Sequence, residues 1–210
     1  MKKALASLCL AWVLCIGGRL AGLAKPQAAQ PVADDTLLNQ GLALLAQGKY
    51  DAAVATFNAY KQKSPLDPRA YFYTGMALTQ AGQLPPAAAE LKEAVRLAPD
   101  QLTYRIFEAN VYSRLKHTTQ SLQALAVFDS HDYLKQLTPV WLHLLSDVYF
   151  RLELPDKALA VLNVLKVQNP DDARTNYELG RVYAYKNELD QAIQSYKKSE
   201  FLLIKYNLVN

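Results

Sequence analysis

The chain is poor in the residues that most often carry chemistry. Its 210 residues include two cysteines, three histidines and two tryptophans. Both cysteines, Cys9 and Cys15, fall at the very start. Everything after them therefore lacks a thiol, which excludes a structural disulfide, a thiolate metal site and a cysteine nucleophile there. Runs of β-branched residues at two-residue spacing are missing, so almost no strand is expected. There is no glycine-rich phosphate loop and no nucleophile elbow. His117, His131 and His143 have no ligand-type partner three or four residues away, apart from His143 with Asp147. That pair, one turn apart on a predicted helix, could hold a metal or orient a base. The preferred reading is a solvated polar pair, with no catalytic, metal or cofactor-binding residue.

Charge is also nearly absent as a signal. The formal net charge is +4, from 23 basic and 19 acidic residues. Lys2, Lys3 and Arg19 lie in a segment that reads as a leader, and removing them leaves 20 basic residues against 19. With no Lys/Arg run elsewhere, a nucleic-acid partner is not expected.

That leader has the layout of a bacterial secretory signal. Met1-Lys2-Lys3 is a positive start, Ala4 to Gly18 is uncharged and mostly apolar, and Gly22-Leu23-Ala24 offers the small residues a signal peptidase reads. The expected organisation is a signal over 1–24, a flexible lead-in over 25–33, and an exported, periplasmic product beginning at Lys25. The apolar run is short for a bilayer span, which needs about 20 residues. An uncleaved anchor, hence a membrane-associated protein, is the alternative, and Arg19 keeps it open. Leu14 and Trp12 precede Cys15 where a lipoprotein signal wants a small residue and a leucine, so lipidation is not expected.

What the rest of the chain does have is a period. Small residues recur at Gly41, Gly75, Ala109, Ser146 and Gly180. Second small residues follow at Ala53, Ala87, Ser121, Ala158 and Ala192, and large apolar ones at Phe57, Leu91, Leu125, Leu162 and Tyr196. A further row holds Leu44, Leu78, Tyr112, Tyr149 and Tyr183. Several registers locked to one spacing mark a solenoid of repeated units. Each unit reads as two amphipathic helices joined by a short turn. In the second unit a helix is predicted over 69–81, Gly82 suits a left-handed helix end, and Pro85-Pro86 opens the next helix. One such helix pair cannot bury its own apolar face, and stacking five pairs can.

The pattern resembles the tetratricopeptide repeat (TPR) family. Tyr71, Gly75, Leu78, Gly82, Ala87, Leu91, Ala94 and Pro99 fall on the family's signature positions in the second unit. The resemblance implies an all-α fold: a right-handed TPR solenoid of about five helix-turn-helix repeats, at 34–67, 68–101, 102–138, 139–172 and 173–206, with a tail at 207–210. The third unit lacks the closing proline and carries three extra residues, expected between Asp129 and Thr138. A looser, hinge-like seam is expected there.

The resemblance further implies that the first helix of each unit lines a concave groove for peptides or partner helices. By register the groove would carry Leu38, Leu42, Arg69, Phe72, Met76, Ile106, Asn110, His143, Asp147, Phe150, Arg174, Tyr177 and Arg181. Its lining passes from apolar to two arginines beside Tyr177, which suits a ligand with an apolar segment and a carboxylate-bearing end. The alternatives are that Leu38 and Leu42 pack under the N-terminal segment and that the arginines pair with acids such as Glu178. Leu38 and Leu42 also stand where a chaperone-tail clamp would place Lys and Asn, so such a clamp is not expected. A second interface is expected on the C-terminal helix at Phe201, Leu202, Ile204, Tyr206 and Leu208, unless that helix covers itself. The reading is a non-catalytic protein-binding adaptor, an assembly factor for an envelope machine, with a protein partner and no small-molecule substrate. The rival reading is a self-associating structural component, a homo-oligomer joined through the C-terminal helix.

Overall fold

The computed structural model of the chain describes residues 35–129 and 131–209, with side chains placed up to Tyr206 except at 131 and 132. The expected signal and lead-in, and the side chain of Leu208, lie outside the described residues. Ten α-helices follow one another: α1 Thr36–Ala46, α2 Tyr50–Lys63, α3 Pro68–Gln80, α4 Leu84–Leu97, α5 Leu102–Arg114, α6 Thr118–Leu125, α7 Pro139–Arg151, α8 Pro155–Gln168, α9 Ala173–Tyr185 and α10 Leu189–Val209. No strand occurs among the described residues. Helices pair in sequence order within each unit, and α2 packs on α3, α4 on α5, and α8 on α9 to join the units.

The period is a packing rule. A Cβ built on Gly75 would lie 2.6 Å from Cγ of Leu91, and one on Gly180 would lie 2.6 Å from Cδ1 of Tyr196. Gly41 stands in the same way against Phe57. The first helix can approach the second only where a large residue sits against bare backbone. Phe57, Leu91, Leu125 and Leu162, all from the large-residue row, are essentially fully buried. Ser121 keeps the small size its row needs and donates from Oγ to the Ala109 carbonyl at 2.8 Å, tying α6 to α5.

The turns repeat as closely as the helices. Gly48, Gly82, Lys116, Glu153 and Asn187 occupy one register, and all five have positive φ, between 60° and 78°. The next amide along donates to the carbonyl of Leu44, Leu78, Tyr112, Tyr149 or Tyr183 at 2.8–3.0 Å. This is the helix-ending motif in which a left-handed residue returns the chain onto its own last turn. Proline opens α3, α4, α7 and α8, where its missing donor costs nothing.

The third unit departs from the pattern earlier than expected. Its second helix, α6, stops at Leu125, and 3-10 turns follow over Ala126–Asp129 and His131–Gln136. The tighter winding turns Phe128 and Leu134 inward, the bend after it does the same for Leu137, and all three are buried in the core shared by units three to five. With its second helix shortened, this unit meets the next chiefly through α5 on α7.

Candidate partner-binding face

The first helices α1, α3, α5, α7 and α9 present one row after another, and the rows differ sharply in exposure. Leu38, Phe72, Ile106, Asn110 and His143 are buried, which corrects their expected place as an open lining. They fill the seams between successive first helices. Phe72 stacks on Tyr104 with ring centroids 4.4 Å apart and lies 6.2 Å from the ring of Trp141. Leu42 and Met76 are half-buried. Arg69 is committed within the array: its guanidinium donates to both oxygens of Asp35 at 2.8 and 3.1 Å and to Asp67 Oδ2 at 2.7 Å. Asp67 also caps α3 by accepting from the Arg69 amide at 2.9 Å.

His143 does not form the solvated pair with Asp147. Its Nδ1 lies 2.8 Å from Glu178 Oε2 and its Nε2 lies 3.3 Å from Asp172 Oδ2, which joins α7 to the start of α9. Asp172 caps α9 through the Thr175 amide at 2.7 Å. Burial pushes the Glu178 carboxyl up, but hydrogen bonds from His143 and Arg174 outweigh it and hold it below the usual carboxylate range. Asp172 behaves alike: burial raises it, and the Thr175 hydroxyl and amide with the nearby His143 bring it below that range. The two carboxylates approach opposite sides of the ring, so they cannot share a metal with it. Among the described residues, no group of three His, Cys, Asp or Glu side chains is placed to hold an ion.

The open part of the face lies on α7 and α9. Asp147 is bridged by Arg151 one turn along its own helix, and Arg181 Nη1 approaches it to 3.9 Å. Arg151 is held from a third side, donating to Asn110 Oδ1 at 3.1 Å and Ser113 Oγ at 2.6 Å on α5. The Arg181 guanidinium sits 4.8 Å over the Phe150 ring, and Phe150 meets Tyr185 edge-on at 5.5 Å. Two guanidiniums therefore share one carboxylate beside two aromatic rings. Arg174 pairs with Glu178 at 2.8 Å, the expected alternative, while its side chain stays mostly exposed. Tyr177 is half exposed, against Tyr196 at 5.7 Å.

Arg151 and Tyr185 were not singled out by register. They stand one residue past the last lining position considered, in the row Gln80, Arg114, Arg151 and Tyr185, all exposed. The (i, i+4) spacing of Asp147 and Arg151 was the signal that could have found Arg151, and Tyr185 stands at the same spacing from Arg181. On α10, Leu202 is buried, a correction to its place in the second interface, because it packs back on the fifth unit. Phe201, Ile204 and Tyr206 are each more than half exposed. No helix among the described residues is long and apolar enough to cross a membrane.

Helix hairpins stacked through a small-against-large seam, each closed by the same left-handed turn, define a repeat solenoid of protein-interaction type. The tetratricopeptide repeat profile matches residues 38–101 and 143–201, more than half of the chain, and the chain belongs to that family. The unmatched stretch contains the interrupted third unit. Similar solved structures include MamA from Desulfovibrio magneticus RS-1, 17% identical, with a TM-score of 0.66 over 80% of this chain and 94% of that one. YrrB, described as a TPR protein with an unusual peptide-binding site, is 18% identical, with a TM-score of 0.59 over 79% of this chain and 84% of that one. At such identities the likeness is one of fold. No curated protein matches the chain.

Proposed function

We propose that this protein is an exported, non-catalytic adaptor. It holds an acidic segment of a partner protein against the first-helix face of α7 and α9, in the assembly of a cell-envelope machine. The carrying observation is the pair Arg151 and Arg181, which share the single carboxylate of Asp147 beside Phe150 and Tyr185. A guanidinium prepositioned by Asn110 and Ser113 loses little freedom on meeting a second carboxylate, and the aromatic rings offer contact area for an apolar neighbour. YrrB supports the reading as a fold relative named for its peptide-binding site. Export rests on Lys2-Lys3, the apolar run to Gly18 and Gly22-Leu23-Ala24.

A photo-crosslinking residue placed at Tyr185 is expected to trap a partner in envelope extracts, and the same residue at Asn163 on α8 is not. Each charge-assisted hydrogen bond contributes about 1.5–3 kcal/mol. Arg151→Ala with Arg181→Ala should therefore weaken capture at least tenfold at temperatures where circular dichroism shows the variant fully folded, while its melting temperature falls by a few degrees because Asn110 and Ser113 lose a partner. Equal capture by the double variant would move the site elsewhere. N-terminal sequencing of the periplasmic protein should begin at Lys25, and an intact Met1 in the membrane pellet would overturn the export reading.

A further inference from the structure

The C-terminal helix carries a second surface with a pattern of its own. Its buried face holds Ala192, Ser199 and Leu202 against α9. Turned rather more than a third of a circle from that face runs a stripe at 189, 193, 197, 200 and 204, spaced four, four, three and four apart. Leu189, Ile193 and Ile204 on this stripe are each more than half exposed, as is Phe201 on its edge. Lys197 and Glu200 between them are also exposed.

The same register is covered in units one, two and four, while in unit three, whose second helix is cut short, its Leu122 is exposed. Its equivalents of Ile193 are Val54, Ala88 and Leu159 in units one, two and four. Ala88 is buried, and Val54 and Leu159 pack against the core clusters, because the first helix of the following unit lies over them. On α10 no following helix covers the stripe among the described residues. Two features separate α10 from the other second helices. It spans 21 residues where α8 spans 14, and the added turns bring Ile204 onto the stripe. The stripe is also self-complementary. An antiparallel copy centred between residues 198 and 199 sets Ile193 against Ile204 of the other chain and Lys197 against its Glu200, and each pairing occurs twice.

We infer that α10 is a homodimerisation helix, and that a second copy of this chain packs its α10 antiparallel on this stripe about a two-fold axis near residues 198–199. A two-fold contact must be self-complementary, and two opposite-charge pairs at the axis flanked by two isoleucine pairs satisfy that requirement. The antiparallel neighbour also reproduces the order in which each second helix elsewhere is followed by a first helix. A partner of other sequence would have no reason to match the Lys197–Glu200 spacing to its own mirror.

Sedimentation of the full protein and its charge variants is the test. The wild type should be a dimer at micromolar concentration. Lys197→Glu sets two glutamates face to face, and Glu200→Lys sets two lysines, so each single variant should dimerise at least tenfold more weakly. Mixing the two restores both pairs, so the mixture should sediment as a heterodimer, and the Lys197→Glu/Glu200→Lys double variant should dimerise with itself. Circular dichroism of these surface variants should match wild type, and so should their melting temperatures at dilutions where every form is a monomer. A monomeric wild type at 100 micromolar, or single variants as dimeric as wild type, would overturn the inference. So would failure of the mixed variants to recover the heterodimer.

Discussion

Glu153 occupies the left-handed turn position that Gly48 and Gly82 fill elsewhere, with φ at 60°. A residue with a Cβ is destabilised there by about 1–2 kcal/mol, and glycine loses about 0.5–1 kcal/mol of chain entropy in exchange. Glu153→Gly should therefore raise stability by about 0.5 kcal/mol in urea titration, and Asn187→Gly by less, since asparagine tolerates this conformation. The two glycine turns were legible in the sequence because only glycine advertises the geometry. Lys116, Glu153 and Asn187 hide it behind ordinary side chains, and their carbonyl partners at Tyr112, Tyr149 and Tyr183 were visible only as a periodic row. Small-against-large pairs such as Gly75 and Leu91 were legible for the opposite reason, since both halves of the contact are written at a fixed spacing. The open lining was less so. Register said which residues share a helix face, but a row such as Phe72, Ile106 and His143 is buried by its neighbours across the seam, which lie more than 30 residues away.

Among the elements, the interrupted second helix of the third unit is where sequence reading and structure part furthest. The extra residues are expected between Asp129 and Thr138, and α7 does begin at Pro139. The helix nevertheless yields earlier, at Ala126, because the 3-10 winding and the bend after it deliver Phe128, Leu134 and Leu137 to the core. The insert is thus anchored by side chains but poorly bonded along its backbone, since 3-10 hydrogen bonds have weaker geometry than α-helical ones. Amides over 126–129 and 133–137 should exchange faster than those of α8 and faster than the turns at Gly48 and Gly82. Phe128→Ala should still cost about 3 kcal/mol, as for other buried aromatics. Protection across the insert equal to that of α8 would show a rigid continuation instead of a hinge.

Over the whole array, charge gathers at two seams. Arg69 hydrogen-bonds Asp35 and lowers its carboxyl, with a smaller contribution from Tyr60. Burial raises Asp67, but bonds from Arg69 and Tyr60 bring it below the usual range. Asp172 and Glu178 form the counterpart between units four and five. A carboxyl held lower in the folded chain than in the unfolded one stabilises above its unfolded value and loses that stabilisation as pH falls through the folded value. Stability should therefore be flat near neutrality and fall below about pH 4, the ordinary carboxylate range. Glu178→Gln should be less stable at pH 7 and show a shallower acid limb, read from urea midpoints at each pH. An unchanged acid limb would remove this seam from the cause. Between these two charged seams lies the joint of α5 on α7, made without a full second helix. A solenoid transmits tension through its joints in series, so the softest one takes most of any stretch. Pulled between its first unit and a second copy held at α10, the protein would behave as a tether with one compliant link, lengthening at the third unit while the partner-binding face on α7 and α9 and the surface of α10, both on one side of that link, keep their shape.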